Sequence, residues 1–132
     1  MEELIRAARQ AYDRAYAPYS CFSVGAAVLA SDGTIYQGCN IENASYGLTM
    51  CAERTAIYSA IAAGCRQLQA IAVVADTPGP ASPCGACRQV MVEFGIHRVI
   101  MANKAGSVRE ASLAELLPFA FSEDDMAGAK HD

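Results

Sequence analysis

Ala70-Ile71-Ala72-Val73-Val74-Ala75 is an unbroken apolar run. A strand with one face in water alternates apolar and polar residues, so a continuous run of this length predicts a strand covered on both faces. On its N-terminal side, Ala52, Ala56, Ala60 and Ala63 fall near one helical face, with Gly64 as a stop. On its C-terminal side comes a proline- and glycine-rich loop over 76–83, then a helix over 84–94 ending at Gly95 and a strand over 98–102. The central strand is thus flanked by helices in sequence, which requires helical layers on the sheet faces.

The outer parts fit the same plan. Residues 2–16 place Leu4, Ala8, Ala11 and Ala15 on one face, with Glu2 and Glu3 at the favourable N-terminal end and Pro18 closing the helix. A strand over 22–30 meets Ser31-Asp32-Gly33-Thr34, whose Asp-Gly pair predicts a hairpin returning over 35–39. After the polar loop 40–47 and the two inner helices, a turn over 103–106, a short return strand over 108–111 and a helical turn over 112–117 precede Pro118. The expectation is an α/β fold of three layers, α/β/α, around a mixed five-stranded sheet, with two strand-helix-strand crossovers making the central strands parallel. One domain spans 1–132, with a mobile polar tail from about 122.

Of the 132 residues, 53% are apolar and 18% charged, as in a compact globular chain, and the abundance of small apolar residues points to burial in an oligomer. The formal net charge is -4, and the ten Lys and Arg are scattered without a basic run. That disfavours a nucleic-acid partner, whose binding rests on neutralising phosphates. No stretch suits a membrane span, and Met1-Glu2-Glu3-Leu4 lacks the basic-then-apolar order of an export signal, so the expected address is the cytoplasm.

In that compartment the six cysteines, at 21, 39, 51, 65, 84 and 87, read better as metal ligands than as disulfides. Cys84 and Cys87 project from one helical turn and Cys51 opens another helix, where free N–H groups favour thiolates. Three thiolates bind Zn²⁺ and leave the fourth tetrahedral position to water, whereas a structural site takes four ligands, with Cys39 or Cys65 as the fourth. Spacing alone leaves catalytic, structural and redox readings open. Glu53, two residues past Cys51, stands where a carboxylate reaches metal-bound water without binding the metal, although a glutamate is also an ordinary first-turn residue.

Cys51-Ala52-Glu53-Arg54-Thr55-Ala56 together with Pro83-Cys84-Gly85-Ala86-Cys87-Arg88-Gln89 resembles the small homotetrameric zinc-dependent cytidine deaminases. The likeness extends through Pro18-Tyr19-Ser20, Phe22 and Val24-Gly25-Ala26-Ala27, through Asn40, Glu42-Asn43-Ala44-Ser45-Tyr46, and Leu116-Leu117-Pro118 before Phe121. Cys51 stands where the larger dimeric cytidine deaminases, deoxycytidylate deaminases and polynucleotide-editing relatives carry His, and the all-cysteine pattern resembles the tetrameric branch acting on free nucleosides. His97 and His131 lie in no motif and are expected at the surface.

The resemblance implies Cys51, Cys84 and Cys87 as ligands of one zinc per chain and Glu53 as proton carrier between water, ring N3 and the leaving amino group. It implies Arg54 as a cation hydrogen-bonded to ligand sulfurs, offsetting the excess charge of three thiolates, with Gln89 supporting it. It also implies Asn40 and Glu42 at the ribose, Phe22 and the Ala52 N–H around the base, and Ala44, Tyr46 and Phe121 reaching across subunits of a homotetramer. The reaction implied is hydrolytic deamination of cytidine and deoxycytidine in pyrimidine salvage. The alternatives are deamination of a cytosine-bearing antibiotic such as blasticidin S, on the same fold, and a non-catalytic structural zinc module. Cys21 is expected as a half-exposed strand residue, and Cys39 and Cys65 as packing residues.

Overall fold

The computed structural model describes residues 1–130. Helix α1 (Glu2–Tyr12) precedes strands β1 (Val24–Ala30) and β2 (Ile35–Cys39). Helix α2 (Ala52–Ala62), strand β3 (Leu68–Ala75), helix α3 (Gly85–Glu93) and strands β4 (Arg98–Asn103) and β5 (Val108–Ser112) follow, then α4 (Leu113–Leu116) and α5 (Glu123–Lys130). The five strands form one mixed sheet in the order β2-β1-β3-β4-β5.

Alternation within the strands builds the layers. On one face Ala27, Ala70, Ala72, Val74, Ile100 and Ala102 pack against Leu4 and Ala8 of α1. On the other, Ala26, Val28, Ile71, Val99 and Met101 pack against Ala56, Ile57, Ala60 and Met91 of α2 and α3. β3 is buried along nearly its whole length, as its apolar run requires. Gly38 of β2 lets α2 lie directly on the sheet, since a Cβ there would overlap the backbone of Ala52 and Ala56.

Two features differ from the sequence reading. β1 runs antiparallel between β2 and β3, so within the five-stranded sheet the parallel pair is β3 and β4. The hairpin folds β1 inward, where its Gly25-Ala26-Ala27-Val28 segment is buried, and the first crossover passes over β1 instead of joining neighbours. Helix α1 ends at Tyr12, before Pro18 acts, because Tyr16 is recruited by a bridge to Ile41.

Smaller departures share local causes. Cys21 is exposed outside any strand, at φ +58, with its N–H on the Ala17 carbonyl. The stretch from Ser122, expected as a mobile tail, carries α5, whose first turn holds Glu123, Asp124 and Asp125, and the Ser122 N–H donates to the Asp125 carboxylate. His97 is exposed; His131 lies outside the described residues.

Candidate metal centre

α2 and α3 bring their N-termini together on one side of the sheet. Cys51 caps α2 and Cys84 caps α3, both with extended backbone and neither side chain accepting a capping hydrogen bond from its helix's backbone. Their sulfurs are therefore free to face one another, while unpaired N–H groups of both helix ends surround them. Cys87 follows in the first turn of α3, fully buried.

The three sulfurs lie within 4.8 Å of one another, with 3.8 Å between Cys51 and Cys84 and 3.3 Å between Cys84 and Cys87. Sulfurs about 2.3 Å from a common tetrahedral zinc stand about 3.8 Å apart, so the donor set fits that ion. It is also the only group of three or more potential metal-ligating side chains among the described residues. Cys39 and Cys65 are elsewhere: Cys39 contacts the Arg14 carbonyl at 3.5 Å, and Cys65 pairs with the Tyr36 hydroxyl at 3.1 Å.

Charge is distributed unevenly over the trio. A hydrogen bond from Cys87, aided by the Arg54 guanidinium, holds the Cys51 thiol down at about 5. Cys87, giving that hydrogen bond from a buried position, is pushed far upward. Of these two sulfurs, Cys51 is thus the one whose thiolate is favoured. Arg54 Nη2 lies 3.3 Å from the Cys51 sulfur, while its buried Nε has no protein partner.

Glu53 occupies the second position of α2 and is only 5% exposed. Burial pushes its carboxyl pKa up, and the neighbouring Cys51 charge adds to the effect. It lines a hollow of about 280 Å³ together with Cys51, Cys84, Phe22, Asn40 and Ala52, closed by Val24, Val73, Ala75 and Ala81. A carboxyl raised by burial, beside three cysteine sulfurs in a partly apolar hollow, is placed to act as a general acid and base.

The remaining predicted residues divide into two groups. Asn40, buried, donates to the Phe22 carbonyl at 2.7 Å and accepts from the Val24 N–H at 2.8 Å. Glu42 lines the adjoining hollow with Tyr19, Ser20, Tyr46 and Thr49; Thr49 is shared by both hollows. Its carboxylate accepts from the N–H groups of Tyr19 and Ser20 at 2.9 and 3.1 Å and from the Ser20 hydroxyl. The Ser20 hydroxyl, more than those N–H groups, holds its pKa below the usual carboxylate range.

Ala44, Tyr46 and Phe121 do not line the sulfur hollow; all three are exposed. Gln89, expected beside Arg54, instead donates to the Phe121 carbonyl at 2.7 Å. Arg88 donates to the carbonyls of Pro83 and Leu116 and to the Ser82 hydroxyl, contacts that sequence spacing does not predict. Its only sequence signal is its place directly after the second cysteine of the pair.

A family model for the cytidine and deoxycytidylate deaminase zinc-binding region matches residues 1–103. The chain is 55% identical over 131 residues to the cytidine deaminase of Sporosarcina psychrophila, covering 98% of this chain and 96% of that protein. It is 55% identical over 125 residues to the cytidine deaminase of Halalkalibacterium halodurans, covering 93% and 95%. The crystal structure of the cytidine deaminase from Burkholderia pseudomallei superposes with a TM-score of 0.88 at 56% identity, covering 91% of this chain and 98% of that one. Together with the three-cysteine group, the match to a zinc-binding region identifies the cofactor as zinc. The chain belongs to the cytidine and deoxycytidylate deaminase zinc-binding family.

Proposed function

We propose that this protein hydrolyses the amino group of free cytidine and deoxycytidine, releasing uridine or deoxyuridine and ammonia. The observation that carries this reading is the buried Glu53 carboxyl in the same hollow as the Cys51 and Cys84 side chains. When held by Cys51, Cys84 and Cys87, zinc supplies Lewis acidity that activates water near neutral pH.

The chain's own residues do the rest. Glu53 accepts a proton from the water, delivers it to ring N3, and later carries a proton to the departing amino group. Burial, which raises its pKa, makes it a better proton acceptor than a solvated carboxylate, as the first transfer requires. Val24, Val73, Ala75 and Ala81 exclude bulk water behind the base, while Phe22 forms a wall. The Ala52 N–H, at the first turn of α2 where donors lack helical partners, faces the pyrimidine O2.

Asn40 and Glu42 receive the ribose. Both already brace the loop that carries Phe22, but a carboxylate with two oxygens retains lone pairs for a sugar hydroxyl. Ala44, Tyr46 and Phe121 serve a neighbouring copy in a homotetramer. Supporting this is the row of exposed large apolar side chains at Tyr16, Tyr19, Ile41, Tyr46, Leu48 and Tyr58, a surface of the kind partners cover. The reducing cytoplasm, where thiols stay free for metal, is the setting the site needs, and pyrimidine salvage is the role the reaction serves.

Chromatography of the products formed from cytidine and, separately, from blasticidin S tests the substrate assignment. Uridine formation from cytidine in clear preference supports it; turnover of blasticidin S alone reassigns the substrate to the antibiotic class.

A further inference from the structure

Three consecutive residues of α3 face three different tasks. Cys87 belongs to the sulfur group. Arg88 sends Nε to the Pro83 carbonyl at 3.0 Å, Nη2 to the Ser82 hydroxyl at 2.9 Å, and Nη1 to the Leu116 carbonyl. Gln89 holds the Phe121 carbonyl at 2.7 Å. Ser82 and Pro83 immediately precede Cys84, and Ser82 lines the sulfur hollow. Leu116 is the last residue of α4, whose terminal carbonyl has no helical donor.

The rest of the 76–83 loop is anchored further back. Asn103 donates to the carbonyls of Thr77 and Pro78, and the Ala81 N–H donates to the Ala102 carbonyl. At Ser82 and Pro83 the side-chain bonds found among the described residues come from Arg88. A planar guanidinium with donors fixed in a fork can hold three acceptors in one geometry, which an ammonium on a flexible stem cannot.

We infer that Arg88 is a positioning residue that ties the segment leading into Cys84 to the C-terminal segment 116–121, so that metal retention and the order of 116–121 depend on each other. The inference rests on Cys84 being a zinc ligand. Mutating groups that orient metal ligands typically costs about 10–100-fold in affinity, and Arg88 orients the ligand-bearing loop. Removing zinc in turn frees Cys84, loosening Pro83 and the guanidinium that fixes Leu116.

Zinc transfer from the zinc-loaded, full-length protein to a chromophoric chelator tests one half of this. Hydrogen exchange of the 116–121 segment, with and without zinc, tests the other. Arg88→Gln is expected to release zinc at least about tenfold faster and to speed exchange at 116–121. Arg88→Lys recovers only part of each, because charge without the fork reaches one acceptor at a time; it also carries the test should Arg88→Gln fail to fold. Stripping zinc from the wild type should speed exchange at the same segment. The comparison variant is Ile100→Val, a small cavity in the layer under α1 on the opposite sheet face, which should change neither readout.

Wild-type zinc release and unchanged exchange in Arg88→Lys and Arg88→Gln would overturn the inference. So would equal acceleration in Ile100→Val. A wild type that holds no zinc overturns the metal reading itself, and is distinguished because exchange at 116–121 in Arg88→Lys still reports on the clamp.

Discussion

The guanidinium of Arg54 and the sulfur of Cys51 sit 3.3 Å apart, three residues apart on the same helical turn. The hydrogen bond from Cys87, aided by this pair, holds the Cys51 pKa down at about 5. In metal-free protein the ultraviolet absorbance of one thiolate should therefore persist at neutral pH and vanish as pH falls through about 5. Arg54→Gln should move that midpoint upward. The linkage has a definite sign: a folded pKa below the unfolded value of about 8.5 contributes stability that is complete above the latter and lost as pH falls towards the former. Acid unfolding of the metal-free protein should accordingly begin earlier in Arg54→Gln.

Glu53→Gln removes the proton carrier while keeping its shape. Turnover should fall on the order of 10²–10⁴-fold, the range for a positioned acid-base group, with zinc content unchanged. Thermal stability should hold or rise, since a carboxyl whose burial raises its pKa is replaced by a neutral amide. Full activity in this variant would remove Glu53 from the chemistry.

Gly38→Ala tests how α2 is seated. A Cβ at this position meets the backbone of Ala56 and Ala52, which cannot yield as a flexible side chain would. Overpacking of this kind costs about 1–3 kcal/mol, readable from urea unfolding. The same cost is expected at Gly25, where the overlap is with Ala8 and Tyr12 of α1. A wild-type unfolding midpoint in Gly38→Ala would mean that helix and sheet lie further apart than described.

Glu42→Gln should separate binding from turnover. The amide cannot accept equally from Tyr19, Ser20 and a sugar hydroxyl, so KM for cytidine should rise by about tenfold or more, the worth of one hydrogen bond to a charged group. Steady-state kinetics should show kcat changing less than KM, and the thermal midpoint should move little because Glu42 lies near the surface. Unchanged KM would place the ribose elsewhere.

Local chemistry in the sequence was a good guide wherever a feature depends on near neighbours. Ala70 to Ala75 forms the buried central strand, Asp32-Gly33 turns the hairpin, and Gly64 lies just past α2 in the left-handed region. The sulfur trio followed from spacing plus resemblance. Long-range relations were less legible. Nothing local in 24–30 says that this strand inserts antiparallel between β2 and β3, because that depends on which edge the hairpin adds to. Glu42 reads as loop polarity until Tyr19 and Ser20 are seen folded onto it. Gln89 and Arg88 find partners 28 to 32 residues away, beyond the reach of any periodicity.

The most direct test of the central claim is an ultraviolet assay of the purified protein on cytidine and deoxycytidine, with zinc quantified on the same sample. The account predicts one zinc per chain and conversion of both nucleosides, abolished by a strong chelator and restored by zinc. Protein carrying one zinc per chain that leaves both nucleosides untouched would contradict it.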